Sequence, residues 1–278
     1  MRRPARGWPD AGRGRRPARA APSSAASRTT RARPARGDSR LTGDAAREDA
    51  AVMVDTPAPL TDVEIWPLTG LRVVSDDLEL RAPDDRTMLD LARLAAQGVH
   101  REDEMPFVVP WTRGTPVQVA RSVMTYQWGL RQRTTPADWA IELAVLRDGE
   151  PLGLQGMYAK DFRITRTAET GSWLGLRHQH GGVGTRMRLL ILHLLFEGLG
   201  AERATSSAFV DNPGSTGVSR KIGYRDNGVV RTARDGAAVD SRQFALDRDA
   251  WDARPDALRL DVRIEGLDPV LDQLGLAP

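Results

Sequence analysis

The chain has 278 residues, 40% of them hydrophobic, and a formal net charge of +3 at pH 7, which allows a sizeable core in one large or two small domains. It has no cysteine, which excludes disulfides, a thiol nucleophile and cysteine metal sites. No stretch approaches the length of a membrane span, so a soluble, cytoplasmic protein without membrane partners is expected.

The charge is unevenly spread. Most of the basic excess falls before residue 50, and the rest of the chain is mildly acidic. Residues 1–60 form an arm rich in Arg, Ala, Pro, Gly and Ser, a composition that buries too little apolar surface to offset the entropy of ordering. Three readings stand for it. It is a basic arm for nucleic acid or ribosomes, or a transit-like peptide whose prolines and glycines spoil an amphipathic helix. The third is an untranslated segment ahead of a start at Met53. That reading, or plain solvated disorder, is preferred. Arg2 and Arg3 have no apolar run behind them, so they do not make a twin-arginine export signal. The folded part shows no basic patch, so no nucleic-acid partner is expected.

Residues 71–81 alternate as a strand, and Pro83-Asp84-Asp85 opens a helix to about Gly98. A loop over 100–110 follows, and Thr115-Pro116 starts a helix with Val119, Val123, Tyr126 and Leu130 at helical spacing. Trp139, Ile141, Leu143 and Val145 alternate as a strand. Asp148-Gly149 turns it into a return strand over 152–159. The next strand, 169–176, enters a loop with glycines at 181, 182 and 184. A helix follows from Gly182 to near Gly198, with Val183, Met187, Leu190, Ile191, Leu194 and Leu195 on one face. A short strand over 204–210 leads through Asn212-Pro213 to a helix ending at Ile222. A hairpin of 224–232 and 241–246 turns at Asp235-Gly236, and Trp251 and an apolar-periodic stretch over 258–276 close the chain.

A strand, a glycine loop and a helix N-terminus in that order make an anion site, because first-turn N–H groups lack intrahelical partners and the helix dipole is positive there. The P-loop pattern fails, since no lysine lies near Gly184. The dinucleotide fingerprint fails too, since Met187 stands where a third small residue belongs. His178 and His180 form an H-x-H pair, but no third ligand is suggested, so no metal is expected.

Gln179, Gly182 and Gly184 satisfy Q/R-x-x-G-x-G/A, which resembles the acetyl-CoA pyrophosphate loop of the GNAT N-acetyltransferases. Glu169, Gly171, Trp173 and Leu174 fit E-x-G-x-W-L, and Asn212, Ser215, Val218, Gly223 and Tyr224 fit N-x-x-S-x-x-V…G-[FY]. Both resemble segments of the RimJ/RimL-like branch of that family, in the same order. Pro110-Trp111-Thr112 before the Pro116 helix is similar to that branch as well. The resemblance covers about residues 71–250, within a domain drawn at 61–250, with 251–278 as an extension docking on the domain or on a partner.

The resemblance implies an α/β (α+β) GNAT fold with a mixed, mostly antiparallel sheet and helices on both faces. It implies acetyl-CoA as cosubstrate and N-acetylation of a primary amine, a protein N-terminus or a small amine, by direct attack. The alternative is a GNAT-fold sensor or scaffold that binds acyl-CoA without turnover. A second copy of the chain is a candidate partner. The strand over 169–176 would splay from the strand after Arg203 and admit the pantetheine arm, which places Trp173, Leu174 and Leu176 at the cofactor. A main-chain N–H near Leu174 would be the oxyanion donor. The pyrophosphate would rest on Gly182, Val183, Gly184 and Thr185, with Gln179 and Asn212 also at the cofactor.

Glu169 is the candidate general base, set against a solvated strand-end glutamate. Ser215 is the candidate proton donor to the CoA sulfur, set against a helix-start serine. Asn212 binds the pantetheine amide, caps a helix, or does both. The wider family places a tyrosine acid seven residues after that asparagine. Here Ser219 stands there, which puts a tyrosine-acid mechanism in doubt. Tyr224 and Met187 read as core, and Arg220 and Lys221 as a solvated helix face rather than a CoA 3′-phosphate site.

Overall fold

A computed structural model describes residues 58–277, so nearly all of the expected basic arm, Met53 included, lies outside the described residues. The described chain begins with α1 (Asp62–Ile65), closed by a capping box in which Thr61 and Glu64 each accept from the other's main-chain N–H. The alternation over 71–81, expected as one strand, instead folds as a hairpin of β1 (Arg72–Ser75) and β2 (Leu78–Arg81). Asp76 turns the chain at φ 50, a left-handed conformation that aspartate tolerates better than most residues. The turn is then held by cations: Asp77 pairs with Arg186 at 2.7 Å and with Arg147 at 2.6 Å.

α2 (Asp85–Ala96) starts where the Asp84 carboxylate accepts from the Thr87 N–H at 2.7 Å. α3 (Pro116–Arg133) starts with a capping box of Thr115 and Gln118. β3 (Asp138–Arg147) and β4 (Glu150–Lys160) form the long hairpin turned at Asp148-Gly149. A single-turn α4 (Phe162–Thr165) follows and leads into β5 (Thr167–Leu174). α5 (Val183–His193) continues into one wider helical turn, Leu194–Gly198. β6 (Arg203–Phe209), α6 (Pro213–Ile222), β7 (Arg225–Arg234) and β8 (Ala237–Asp247) come next. α7 (Arg248–Asp252), β9 (Arg263–Glu265) and α8 (Leu267–Gln273) end the chain.

Among the described residues these strands form one sheet in the order β7-β8-β6-β5-β4-β3-β2-β1-β9. Neighbours are antiparallel except β5 and β6, which run parallel because α5 carries the chain back between them. Helices cover both faces. Leu190, Ile191, Leu194 and Phe196 pack on one face with Val73, Leu80, Leu143, Met157 and Phe244. On the other, Leu91 and Leu94 of α2 and Val119 and Val123 of α3 pack with Ala144, Leu154 and Trp173.

The segment past residue 250 docks on this domain. β9 pairs with β1 through Val73 and Ile264, and Val270 of α8 and Leu274 just after it are completely buried. Trp251 stacks on Phe196 with ring centres 5.2 Å apart, and its indole N–H donates to Glu197 at 2.6 Å. Trp251→Ala should therefore cost roughly 3–5 kcal/mol, the range for emptying a buried aromatic site. Urea unfolding reads this as a lower midpoint at unchanged slope. A cost below about 1 kcal/mol would show that the sheet does not rely on this anchor.

Candidate active site

β5 and β6 are paired only from Thr167–Arg203 to Thr170–Ser206, yet β5 runs on to Leu174 and β6 to Phe209. Beyond that point each strand is held from its outer side alone. β4 grips β5 up to Gly153–Leu174, and β8 grips β6 up to Phe209–Ser241. The inner edges of 171–174 and 207–209 therefore face a gap. The Gly175 N–H donates to the Leu152 carbonyl at 2.9 Å, toward β4. Main-chain groups alternate sides along a strand, so those of Ser172 and Leu174 face the gap. Gly153 lets β4 hold β5 this closely: a Cβ there would sit 2.1 Å from the Trp173 carbonyl oxygen.

Arg188 of α5 braces the gap from one side of the sheet. Its guanidinium donates to Ser206 Oγ on β6 at 3.1 Å, Ser172 Oγ on β5 at 3.3 Å and Gln155 Oε1 on β4 at 3.5 Å. These partners are all neutral, although Arg188 is only 4% exposed. The gap opens into a cleft of about 930 Å3.

The glycine loop closes one end of that cleft. Gly182 has φ 81 and supplies no side-chain cap to α5, so the N–H groups of Val183 and Gly184 stay available, as an anion site requires, while the Thr185 N–H donates to the Gly182 carbonyl at 3.2 Å. The requirement for positive φ falls on Gly182, not on Gly184. A Cβ at Gly184 would meet only Val218 and Leu174 side chains at 3.7 and 3.9 Å. Gly184 and Thr185 line the cleft, whereas the Val183 side chain is buried in the core. Gln179 anchors the loop, its amide donating to the carbonyls of Val99 at 2.7 Å and Leu174 at 3.1 Å.

At the strand end the structure departs from the sequence reading. β5 stops at Leu174, and Leu176 sits in a 3-10 turn, 40% exposed, rather than on the strand. It is not among the residues lining the cleft. Trp173 lines the cleft, but its indole packs into the α2–α3 core with Trp111, centroids 5.8 Å apart.

Three comparisons bear on this geometry. The family described as Acetyltransferase (GNAT) domain matches residues 77–225, more than half of the chain. The chain belongs to the GNAT acetyltransferase family. It is 31% identical over 106 residues to a Bacillus subtilis (strain 168) protein named as a ribosomal N-acetyltransferase, YdaF. That match covers 38% of this chain and 56% of the relative, so the chain spans little more than half of the relative's length. Among solved structures it is similar to Mycobacterium smegmatis RimJ in complex with CoA-disulfide, at TM-score 0.53 and 20% identity over 69% of this chain and 92% of that one. It is also similar to RimL, a ribosomal L7/L12 alpha-N-protein acetyltransferase in complex with coenzyme A. There the TM-score is 0.50 and the identity 22%, over 64% of this chain and 97% of that one.

In this GNAT domain Glu169 stands on β5 beside the gap and accepts from Ser207 Oγ at 3.2 Å. Burial pushes its carboxyl above the usual range, and the Ser207 hydroxyl and the Arg188 charge oppose that. Asn212 caps α6 by accepting from the Ser215 N–H at 3.1 Å, and both residues line the cleft. The Tyr224 hydroxyl lies 3.3 Å from Thr170 Oγ1 in the core, and Ser219 is fully buried. Arg220 pairs with Asp226 at 3.6 Å on the surface.

Two features escaped the sequence reading. One is Arg188, whose only signal is its place four residues after Gly184 on the same helical flank. The other is Glu142, 7% exposed, which accepts from Tyr158 Oη and Gln127 Nε2. Tyr126 also lies at this carboxyl. Burial raises it from the ordinary 4.5 to about 7, against the pull of these donors. Between those values the folded chain keeps a proton that the unfolded chain has released, so the stability owed to this group falls as pH rises from about 4.5 to 7. Glu142→Gln cannot titrate and should lack that fall. The urea-derived stability difference between variant and parent should shift by roughly 1–3 kcal/mol in the variant's favour from pH 5 to pH 7.5.

Proposed function

We propose that this chain is an acetyl-CoA-dependent N-acetyltransferase that moves the acetyl group to a primary amine by direct attack. The observation that carries the reading is the broken β5–β6 ladder leading to an uncapped helix N-terminus. An extended arm with amide groups fits the gap as a missing strand would, taking the main-chain groups of Ser172 and the N–H of Leu174. The N–H groups of Gly182, Val183 and Gly184 suit a diphosphate, with Thr185 lining the cleft beside them. Such a cosubstrate supplies the activated acyl group as a thioester. The Leu174 N–H, facing the gap, is the oxyanion donor. Glu169, with a raised pKa and a place on the cleft wall, takes a proton from the attacking nitrogen. Ser215 gives a proton to the departing sulfur.

The names of the relatives favour a protein N-terminus over a small amine as acceptor, and a cytoplasmic site of action. Turnover with a peptide N-terminus, polyamines and aminoglycosides as competing acceptors checks this choice.

Gly184→Asp tests the diphosphate site. The new side chain has ordinary room beside Val218 and Leu174, so the protein should fold. Its carboxylate would stand at the loop and repel the diphosphate. Each lost charge-assisted hydrogen bond is worth about 1.5–3 kcal/mol, so acetyl-CoA affinity should fall at least about tenfold by calorimetry. Circular dichroism controls for folding. Unchanged affinity in a folded variant would move the diphosphate away from this loop.

A further inference from the structure

On the acceptor side of the sheet a second acid–base system lies beside Glu169. Tyr158 stands directly opposite Glu169 in the β4–β5 register, and both line the cleft. Its ring leans along the sheet over Gly156 and Gly171. A Cβ at Gly156 would lie 2.4 Å from Tyr158 Oη, and one at Gly171 would lie 3.3 Å from Cε2. The phenol thereby reaches Glu142 on β3, to whose Oε1 it donates. Gln127 on α3 donates to the other oxygen.

We propose that Tyr158 is a catalytic residue and Glu142 its positioning partner, together forming a proton relay that deprotonates the acceptor ammonium before Glu169 acts. This deepens the acetyltransferase reading and rests on it. An ammonium must lose two protons on its way to an amide. In the first transfer an N–H bond breaks and the proton goes to Tyr158 Oη, while the phenolic proton moves to Glu142 Oε1. The freed lone pair then attacks the thioester carbonyl carbon. As the C–N bond forms and the C–S bond breaks, the second nitrogen proton goes to Glu169. The thiolate recovers that proton by way of Ser215, and Glu142 releases its own to water. Gln127 and Tyr126 line a second cavity of about 390 Å3 behind the carboxyl, which gives that proton a route out.

The groups facing Glu142 suit this role. Tyr126 and Gln127 of α3 and Tyr158 of β4 hydrogen-bond to it. Arg133 of α3 acts on Tyr126, and Glu169 of β5 lies beyond Tyr158. None of the hydrogen-bonding groups is a cation, and burial holds the carboxyl at about 7, near the pH at which it must exchange protons. The Tyr158 phenol is raised well above its ordinary value by burial and by Glu142, so it passes a proton without ionising on its own.

The test compares the parent with Glu142→Gln, Tyr158→Phe, the double variant and Glu169→Gln. Each relay variant should lose on the order of 100-fold in kcat/KM, with acetyl-CoA affinity unchanged by calorimetry. The double variant should lose no more than either single one. The ratio of parent to Glu142→Gln kcat/KM cancels the acceptor's own titration. It should rise through about pH 7, and the Glu169→Gln enzyme should keep that inflection. In the free protein the infrared band of a protonated carboxyl should titrate near 7. The band should vanish in Glu142→Gln and shift in Tyr158→Phe. If the parent acetylates no amine, the acetyltransferase reading falls and this proposal falls with it. If the parent turns over while Glu142→Gln or Tyr158→Phe keeps its rate and pH profile, the relay alone is overturned.

Discussion

A buried main-chain N–H or C=O without a partner costs about 1–3 kcal/mol, and folded sheets leave very few. Here the pairing of β5 and β6 stops at Thr170 and Ser206, and both strands continue. The rest of the domain is arranged so that this gap persists. β4 and β8 hold the two strands from outside, and Arg188 bridges Ser172 and Ser206 across the point of divergence. The two strands are parallel, so both deliver the chain to the same edge of the sheet. There α5 and α6 begin, one after each strand. Ligand crevices in open sheets form outside the carboxyl ends of parallel strands for this reason. The gap supplies strand-like partners for an extended arm, and the adjoining helix N-terminus supplies a positive end.

Charge is divided across the same gap. Glu142 and Glu169 lie on the face covered by α2 and α3, and Arg188 lies on the face covered by α5. A buried cation whose hydrogen-bond partners are all neutral attracts whatever negative charge forms nearby. On the opposite side the buried Glu142 and the half-buried Glu169 suit the ammonium of the proposed reaction and the protons it sheds. Acyl transfer to an amine needs both: a basic side where nitrogen sheds protons, and a positive side where oxygen or sulfur gains charge. The sheet separates the two, so the carboxylates are not neutralised by direct pairing with the arginine. Glu169 still feels Arg188 through the gap, which lowers its pKa against the effect of burial.

Much of this was legible in the sequence, for local reasons. The glycine loop, the Asn212-Pro213 helix start and the hairpin turn at Asp148-Gly149 rest on φ requirements and caps that short stretches encode. The readings that changed depended on partners distant in the chain. The run over 71–81 has no glycine to mark its turn, and Asp76 and Asp77 look like polar strand positions until Arg147 and Arg186 arrive to hold them. Leu176 continues the apolar run of β5, yet its N–H is taken by the Gly98 carbonyl at 3.0 Å, beyond the strand's end. Glu142 sits on the polar phase of β3, which reads as a solvent face. α3 covers that face, and a residue that alternation places in water becomes a buried acid. Arg188 was hidden for the opposite reason, because an arginine on a helix is ordinarily solvated.

The glycines of the central hairpin show how far local reading reaches. Gly182 is needed for its backbone conformation, and a loop before a helix announces that. Gly153, Gly156 and Gly171 are needed for what passes over them, and nothing in their own segments says so. Gly153 admits the Trp173 carbonyl, and the other two admit the Tyr158 ring. In a strand, a glycine forgoes packing and conformational entropy, so its presence points to a close approach. Here Gly156 and Gly171 face each other in the β4–β5 register, and Gly153 lies further along the same pair of strands, opposite Leu174. They mark the path by which β5 leans toward β4 and a phenol crosses from the cleft wall to a buried carboxylate. The same small residues therefore hold β5 toward β4 and away from β6 on one side, and connect the cleft wall to Glu142 on the other.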